Sequence, residues 1–140
     1  MKAYEFLPHT ADVKFRAYGK SLEEAFQNAA LATFAIMTDI KKVKAKTKKR
    51  VSVKAKSKET LLYDFIQELL FFVDTEGFLL HSVEELTIQK KKDGYHLHSV
   101  LVGDSGEQYE IVTQIKSATY NDMFIKEEKN AVTIQMVLDI

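Results

Sequence analysis

Alternating apolar and polar positions predict a strand near the N-terminus. Residues 12–18 read DVKFRAY, with an apolar side chain at every second position, which is the period of a half-buried strand. Ser21 and Glu24 then supply the S-x-x-E pattern of a helix N-terminus, in which the two residues satisfy free N–H groups of the first turn. Apolar residues recur behind them at helical spacing. The pattern predicts a first helix from about 22 to 38.

A second strand and a second helix follow along the chain. Residues 51–55 alternate between apolar and polar side chains, which predicts a strand with a lysine-bearing outer face. Ser57 is placed as a helix N-cap, and Gly77 is placed to end that helix. The wide apolar stripe between them predicts the most hydrophobic element of the fold, at the centre of the core: Leu61, Leu62, Phe65, Ile66, Leu69, Leu70 and Val73.

The remaining residues read as strands from position 78 onward. Asp93-Gly94 between two strand-like runs is a strong hairpin signal, with His96–Val102 as the return strand. We expect a turn at 103–106, a further strand at 109–113 and a closing strand at 131–138. This order predicts a single α+β domain over residues 1–140. Two helices would pack on a largely antiparallel sheet, and the order suggests a duplicated strand/helix unit.

The composition is that of one compact globular domain. The chain has 140 residues, of which 46% are hydrophobic and 11% aromatic, well inside the globular range. It contains no cysteine, which excludes disulfides, thiolate metal sites and cysteine nucleophiles. The N-terminus lacks the pattern of a signal peptide, and no apolar stretch approaches the roughly 18 residues that span a bilayer. We therefore expect a soluble, cytoplasmic protein without membrane contact.

The net charge of zero conceals an uneven distribution. Residues 41–58 hold ten Lys or Arg and no acid, which leaves ten basic residues against twenty acidic ones elsewhere. Clustered lysines can contact RNA phosphates, but the segment has no aromatic residue to stack on bases. Lysines also protect an exposed edge strand from pairing with another chain. We favour a solvated loop and edge strand, with weak contact to RNA or a partner protein as the alternative.

Common catalytic motifs do not occur in this sequence. It contains no GxSxG, P-loop, GxGxxG or HExxH. Its four histidines have no zinc-site spacing: His9, His81, His96 and His98. His96 and His98 would share one face of a strand and could bind a metal, although plain surface is the commoner role near a hairpin turn. The sequence therefore does not specify an enzyme by itself.

Carboxylates at the two ends of the chain are the candidate chemistry. Asp12 begins a core strand, and the chain ends in a strand followed by Asp139 and the free carboxylate of Ile140. If the two strands are neighbours, these carboxylates converge and repel one another unless a cation lies between them. A hard ion such as Ca²⁺ or Mg²⁺ favours oxygen ligands of this kind. The alternative is that Asp12 caps a local turn through Thr10 or its own backbone, while Asp139 is solvated.

Lys116 is a second candidate residue. It stands between two apolar-leaning runs, in the stretch IKSATY. Its ammonium group could serve as the counter-ion of a carboxylate cluster or contact a phosphate. It could equally lie on the exposed face of a strand, which is the commoner position of lysine.

Three short motifs together resemble the archease family. They are HTAD at 9–12, KSATY at 116–120 and LDI at the extreme C-terminus, and the resemblance covers essentially the whole chain. Archeases are small cytoplasmic helpers of the GTP-dependent RNA ligase of tRNA splicing and RNA repair. The resemblance implies that the protein promotes guanylylation and turnover of this ligase and does not itself join RNA. Weak tRNA contact through residues 41–58 remains the alternative for the lysine segment.

The resemblance also implies roles for individual residues. A divalent ion, Ca²⁺ or Mg²⁺, would be bound by Asp12 and Asp139 with the terminal carboxylate of Ile140 nearby, and Lys116 would be required for function. Family sequences often have histidine where this chain has Asn121, which leaves any contribution of that position altered. The neighbouring motif residues would support the site from around it: His9, Thr10, Thr119 and Tyr120.

Two other functional classes remain as alternatives. A general protein-modulating, chaperone-like module would need an exposed apolar groove. A metal-dependent hydrolase would need a general base beside the ion, and the sequence offers no suitably placed histidine or third acid. The dipolar charge distribution and the short chain favour a binding partner over an independent enzyme.

Overall fold

The structure is a computed structural model that describes residues 1–8 and 11–140. Within these ranges the chain forms eight strands and two α-helices. In chain order they are β1 (Tyr4–Leu7), β2 (Asp12–Gly19), α1 (Leu22–Met37), β3 (Thr47–Ala55), α2 (Lys58–Glu76), β4 (Phe78–Lys91), β5 (Gly94–Ser105), β6 (Ser117–Ala118), β7 (Phe124–Glu128) and β8 (Ala131–Asp139).

The strands form two antiparallel sheets. In the described part of the chain, one sheet has five strands in the order β1-β2-β8-β6, with β7 also paired to β8, and the other has three in the order β3-β5-β4. The predicted α+β class is confirmed, although the strands divide between two sheets. The strands that precede the two helices, β2 and β3, lie in different sheets. The suggested duplication of a strand/helix unit stays a prediction.

The two helices pack against strands of both sheets. Helix α1 contacts β2 and β8 of the first sheet and β4 of the second, while α2 contacts β3 and β5 of the second sheet and β6 and β7 of the first. Because each helix buries side chains on more than one side, both are rich in apolar residues. Large core side chains come from both helices and from β2, β4 and β5: Phe15, Phe26, Phe34, Phe65, Leu69, Leu80 and Leu97.

The predicted helix ends are confirmed. Ser21 Oγ accepts a hydrogen bond from Glu24 N at 3.1 Å, and the Glu24 carboxylate accepts one from Lys20 N, one residue before the cap. Ser57 Oγ accepts from Thr60 N at the start of α2. Gly77 ends α2 in the left-handed region at φ 64°, with its N–H bonded to carbonyls of the last turn. This conformation is readily adopted by glycine.

The predicted strand at 109–113 is wrong. Residues 109–116 have no regular secondary structure, and residues 103–105, predicted as a turn, continue β5. The alternating pattern predicted a strand, but side-chain hydrogen bonds and not strand pairing hold the start of this segment. The buried Asp104 carboxylate accepts hydrogen bonds from Gln108 Nε2 and from the Tyr109 hydroxyl. The prediction also missed β1, β6 and β7, which are too short to show a clear period.

The lysine-rich segment forms an edge strand, as favoured from the sequence. Strand β3 lies at one edge of the three-stranded sheet, paired only with β5 in the described part of the chain. Lys48, Arg50 and Lys54 are exposed, while Val51 and Val53 are buried. No helix among residues 1–8 and 11–140 is long and apolar enough to cross a membrane.

Candidate functional site

The first and last long strands bring two aspartates face to face. Strands β2 and β8 pair in antiparallel register, with Asp12 directly opposite Asp139. On the other edge of β8, Ser117 of β6 is also opposite Asp139. Residues directly opposite in antiparallel strands have Cβ atoms about 4.5–5.5 Å apart on one face of the sheet. The row Asp12–Asp139–Ser117 therefore crosses three strands on a single face.

The core fixes which face carries these aspartates. Phe15 and Ala17 are fully buried on β2, and their partners in the register, Met136 and Ile134, are fully buried on β8. A slip of one residue would turn these four side chains toward solvent. Because Asp12 differs from Phe15 by an odd number of positions, it lies on the opposite, outer face. Hydrophobic packing thus places two like charges side by side.

Lys116 is attached to the same row through the backbone. Its N–H donates a hydrogen bond of 2.7 Å to the carbonyl of Asp139, while its side chain is exposed. Like charges directly opposite in a sheet are destabilising, and a cation close to the two aspartates reduces that repulsion. The hydrogen bond to Asp139 places the backbone of Lys116 beside the carboxylate pair, and the exposed side chain of Lys116 is accessible to solvent.

Thr119 and Tyr120 hold the segment that follows Lys116. The N–H and the hydroxyl of Thr119 both donate to the carbonyl of Val137 on β8, at 3.2 and 2.7 Å. The Tyr120 ring stacks on Tyr63 of α2. These contacts hold the segment after Lys116 against β8 and α2, and the supporting role of Thr119 and Tyr120 around the site stays a prediction. Asn121 is exposed, and its N–H donates to the Thr119 hydroxyl.

An ion pair that the sequence analysis missed covers the next row of the sheet. Lys14 lies opposite Val137, and its ammonium group is 3.0 Å from the carboxylate of Asp122, which comes from beyond the other edge of β8. Val137 is completely buried although it lies on the outer face. Gln135 donates to the carbonyl of Asp122 and holds the loop down. The period of β2 already placed Lys14 on the face of Asp12, which was the available signal.

The donors present at this tip fit a hard cation in type but are few in number. Asp12 and Asp139 supply carboxylate oxygens, and the terminal carboxylate of Ile140 follows directly in the chain. Oxygen donors of this kind suit Ca²⁺ and Mg²⁺, which complete their coordination with water or partner oxygens. Among the described residues no group of three or more His, Cys, Asp or Glu is arranged to hold a metal ion. The metal site stays a prediction.

Two residues named from the sequence, His9 and Thr10, lie outside the described ranges. The alternative in which Thr10 caps a turn for Asp12 lies outside them as well.

The other candidate metal pair is the two histidines of β5. His96 Nε2 bonds to Asp93 and His98 Nδ1 bonds to Ser52, each at 2.9 Å. The hydrogen bond from His96 lowers the pKa of Asp93. Both imidazoles thus bond to side chains of their own three-stranded sheet or its β4–β5 turn, away from the acidic pair.

These features define a two-sheet α+β domain with an acidic tip, named here for Asp12 and Asp139 at the end of the five-stranded sheet. The sequence profile of the Archease protein family matches residues 4–140. The chain belongs to the archease family.

Two relatives match all or most of the chain. The archease of Methanothermobacter thermautotrophicus is 41% identical over 141 residues, covering 100% of both chains. The archease of Pyrococcus abyssi is 39% identical over 129 residues, covering 91% of this chain and 90% of its own.

Two solved structures share the fold. The solution structure of protein 1598 of Methanobacterium thermoautotrophicum has a TM-score of 0.85 at 38% identity, covering 100% of both chains. The crystal structure of a Thermotoga maritima archease, described as a possible chaperone, has a TM-score of 0.64 at 17% identity and covers 96% of this chain and 94% of its own. At that identity it supports the fold alone.

Proposed function

We propose that this protein activates the GTP-dependent RNA ligase of tRNA splicing and RNA repair by promoting ligase guanylylation and repeated turnover. The observation that carries the proposal is the register of Asp12 against Asp139, with Lys116 bonded through its backbone to Asp139. Membership of the archease family supports it. In this proposal the protein is an accessory factor, located in the cytoplasm, and the ligase performs the chemistry.

The residues of the acidic tip would act on a docked ligase. Asp12 and Asp139, with the terminal carboxylate of Ile140, would hold a divalent ion, Ca²⁺ or Mg²⁺. Such an ion supplies positive charge that neutralises a triphosphate during nucleotidyl transfer. Lys116 presents a second positive charge from an exposed side chain. A phosphate of GTP is the group that both charges would recognise.

The surrounding contacts would keep the tip rigid before docking. The bonds of Thr119 to Val137 and the ion pair of Lys14 with Asp122 fix the row of the sheet next to the carboxylate row. Charged groups that are already in position do not have to rearrange when the nucleotide binds, so less free energy is spent on reorganisation. We therefore expect substitutions in these supporting residues to weaken activation less than substitutions in the tip.

The experiment is a guanylylation assay with GTP and a ligase from the same source, with and without this protein. Wild type should accelerate formation of the guanylylated ligase, whereas Asp12→Asn, Asp139→Asn and Lys116→Ala should each lose most of the stimulation. The matched control is Glu128→Gln, which removes an exposed acid from β7 of the same sheet. It should stimulate like wild type.

Two results would contradict the proposal. One is the failure of wild-type protein to stimulate its own ligase under any divalent-ion condition. The other is full stimulation by Asp12→Asn and Asp139→Asn, which would show that the facing carboxylates are not used. Circular dichroism of each variant separates a lost site from a lost fold.

A chaperone-like role is the second candidate and rests on a different surface. Phe71, Ile111 and Val112 are exposed by 55%, 45% and 64%. Ile111 and Val112 line a groove of about 640 Å³ between α2 and the irregular segment 109–116, together with Leu70 and Val73. If this groove held unfolded chains, wild type would suppress heat aggregation of an unrelated protein, measured by light scattering. Val112→Asp would remove that effect, and Asp12→Asn would leave it intact.

A metal-dependent hydrolase is the least favoured class. The histidines in the described part of the chain, His81, His96 and His98, all lie on β4 and β5 of the other sheet. The acidic tip therefore receives no imidazole base from these residues. An intrinsic hydrolase would release product from a nucleotide in the absence of any ligase, and the same preparations can be tested for this.

A further inference from the structure

The turn between β4 and β5 brings together lysines from two distant parts of the sequence. Strand β3 pairs with β5 so that Ala55 lies opposite Tyr95, beside the β4–β5 turn. Lys56 thereby joins Lys90, Lys91 and Lys92 around a cavity of about 540 Å³. We call Lys56, Lys90, Lys91 and Lys92 the hairpin cluster.

The hairpin cluster carries a surplus of positive charge. All four lysines are exposed. Within residues 1–8 and 11–140 the recorded ion pairs involve none of the four. The acid that lines the cavity is Asp93, whose pKa is lowered by its hydrogen bond with His96, so it stays negative and the four lysines leave a surplus of three positive charges. Neighbouring Lys58 is paired with Glu127 and so is already neutralised. The charge of the cluster is therefore available to an external anion.

The geometry of Tyr95 indicates that phosphates, and not bases, are the groups recognised. Tyr95 is partly buried, and the ammonium groups of Lys58 and Lys90 lie 5.7 and 5.8 Å from the centroid of its ring. Lysines on a ring leave little room for a base to stack, and stacking is what single-strand binders provide. Lysine ammonium groups on flexible stems contact phosphates as point charges, without a fixed geometry.

We propose that the hairpin cluster binds the phosphate backbone of double-helical RNA without sequence preference. Several lysines projecting from a strand end and a turn suit a rigid double row of phosphates, since duplex RNA is recognised mainly by shape and by phosphate and 2′-hydroxyl contacts. The choice of RNA as the duplex rests on the proposed ligase activation, whereas phosphate binding by the cluster does not. Duplex binding would give the protein a second contact, with the RNA on which such a ligase acts.

The structure also divides the basic sequence segment 41–58 into two surfaces. Lys41, Lys42 and Lys44 precede β3, whereas Lys56 follows it. Strand β3 has nine residues, so its ends are about 26 Å apart at about 3.3 Å per residue. The exposed lysines before β3 therefore provide a control with the same charge but a different position.

The test measures fluorescence anisotropy of a labelled 20-base-pair RNA duplex at several sodium chloride concentrations. The variant Lys56→Gln/Lys91→Gln/Lys92→Gln should bind at least about 10-fold more weakly than wild type at low salt. The slope of log affinity against log salt should fall by about 2–3, as expected for the loss of up to three phosphate contacts. The control Lys41→Gln/Lys42→Gln/Lys44→Gln should weaken binding by no more than about 3-fold.

Several outcomes would overturn the proposal. Equal weakening by both triple variants would show a diffuse charge effect and no site. Tighter binding of a labelled single strand, or of polyglutamate as an acidic-protein probe, would assign the cluster to another class of partner. Absence of duplex binding by wild type at low salt would also reject it.

Two further measurements keep the result interpretable. If the triple variant is unfolded by circular dichroism, the turn variant Lys91→Glu/Lys92→Glu replaces it with the same expected loss. Guanylylation of the ligase in the absence of RNA should be unchanged by the hairpin variant. A defect in RNA binding can thus be separated from a failure of the proposed activation.

Discussion

The ring of Tyr120 lies parallel to the ring of Tyr63, with centroids 4.4 Å apart and planes 5° apart. This stack joins the KSATY segment to α2, and Gln67 of the same helix accepts a hydrogen bond from Ala118 N at 2.7 Å. Strand β6 is thus held on one side by β8 and on the other by α2. The position of Lys116 depends on this packing.

Removal of the stack should therefore reduce both stability and activation. We expect Tyr63→Ala to lower the free energy of unfolding by about 1–3 kcal/mol, since a pair of stacked rings contributes about 0.5–1.5 kcal/mol beyond its buried area. Urea unfolding measures this change. Tyr63→Phe keeps the ring and should retain nearly all of the stability. Equal losses in the two variants would contradict a role for stacking.

A divalent ion should stabilise the fold through the two facing aspartates. A ligand at 100 times its dissociation constant stabilises the folded state by about 2.7 kcal/mol. Saturating Ca²⁺ or Mg²⁺ should therefore raise the melting temperature by several degrees, and addition of EDTA should reverse the rise. Asp139→Asn should abolish the response, whereas Glu128→Gln should keep it. An unchanged response in Asp139→Asn would place the ion elsewhere.

The bond between Asp104 and Tyr109 should make stability depend on pH at both extremes. The Tyr109 hydroxyl donates to Asp104 at 2.7 Å, which lowers the pKa of Asp104 below its ordinary 3.8 and raises the pKa of Tyr109 above 10.0. A lowered acid pKa contributes stability above pH 3.8 that is lost as pH falls toward the folded value. A raised tyrosine pKa contributes stability below pH 10 that is lost as pH rises through the folded value.

Tyr109→Phe removes the hydroxyl that donates to Asp104. The free energy of unfolding should then vary less with pH at both the acid and the alkaline end. Urea midpoints between pH 2.5 and 5, and between pH 9 and 11, measure the two limbs. Tyr18→Phe is the control, and it should leave both limbs as in wild type. A steep acid limb retained in Tyr109→Phe would assign the acid dependence to other carboxylates.

Gly77 offers a measurement of backbone strain without a steric clash. Its φ of 64° is left-handed, and an added Cβ would meet nothing within 4 Å. Gly77→Ala should lower the free energy of unfolding by about 1–2 kcal/mol, the cost of a left-handed alanine. Gly77→Asn should lose less, because asparagine adopts this conformation more readily. Gly103→Ala should lose more, since its Cβ would collide with the carbonyl of Leu79.

Much of the fold could be predicted from the sequence because local patterns determine it. The capping residues Ser21 and Ser57 and the left-handed Gly77 act within one turn of their helices. The Asp93-Gly94 turn likewise joins β4 and β5 where predicted. Apolar periodicity located both helices and the long strands β2 and β8. Short strands carry too few residues for a period, so β1, β6 and β7 were not predicted.

The sequence by itself determined the helices, the long strands and the candidate pair of Asp12 and Asp139, because capping, turn chemistry and periodicity are properties of neighbouring residues. It also indicated the archease family through short motifs at both ends of the chain. Only the tertiary structure decided which residues lie beside that pair, since Ser117 and the ion pair of Lys14 with Asp122 come from positions far apart in sequence. It also assembled the hairpin cluster, on the other sheet, from two distant segments. Long-range strand register, fixed by burial of the apolar face, is the physical reason for these neighbours.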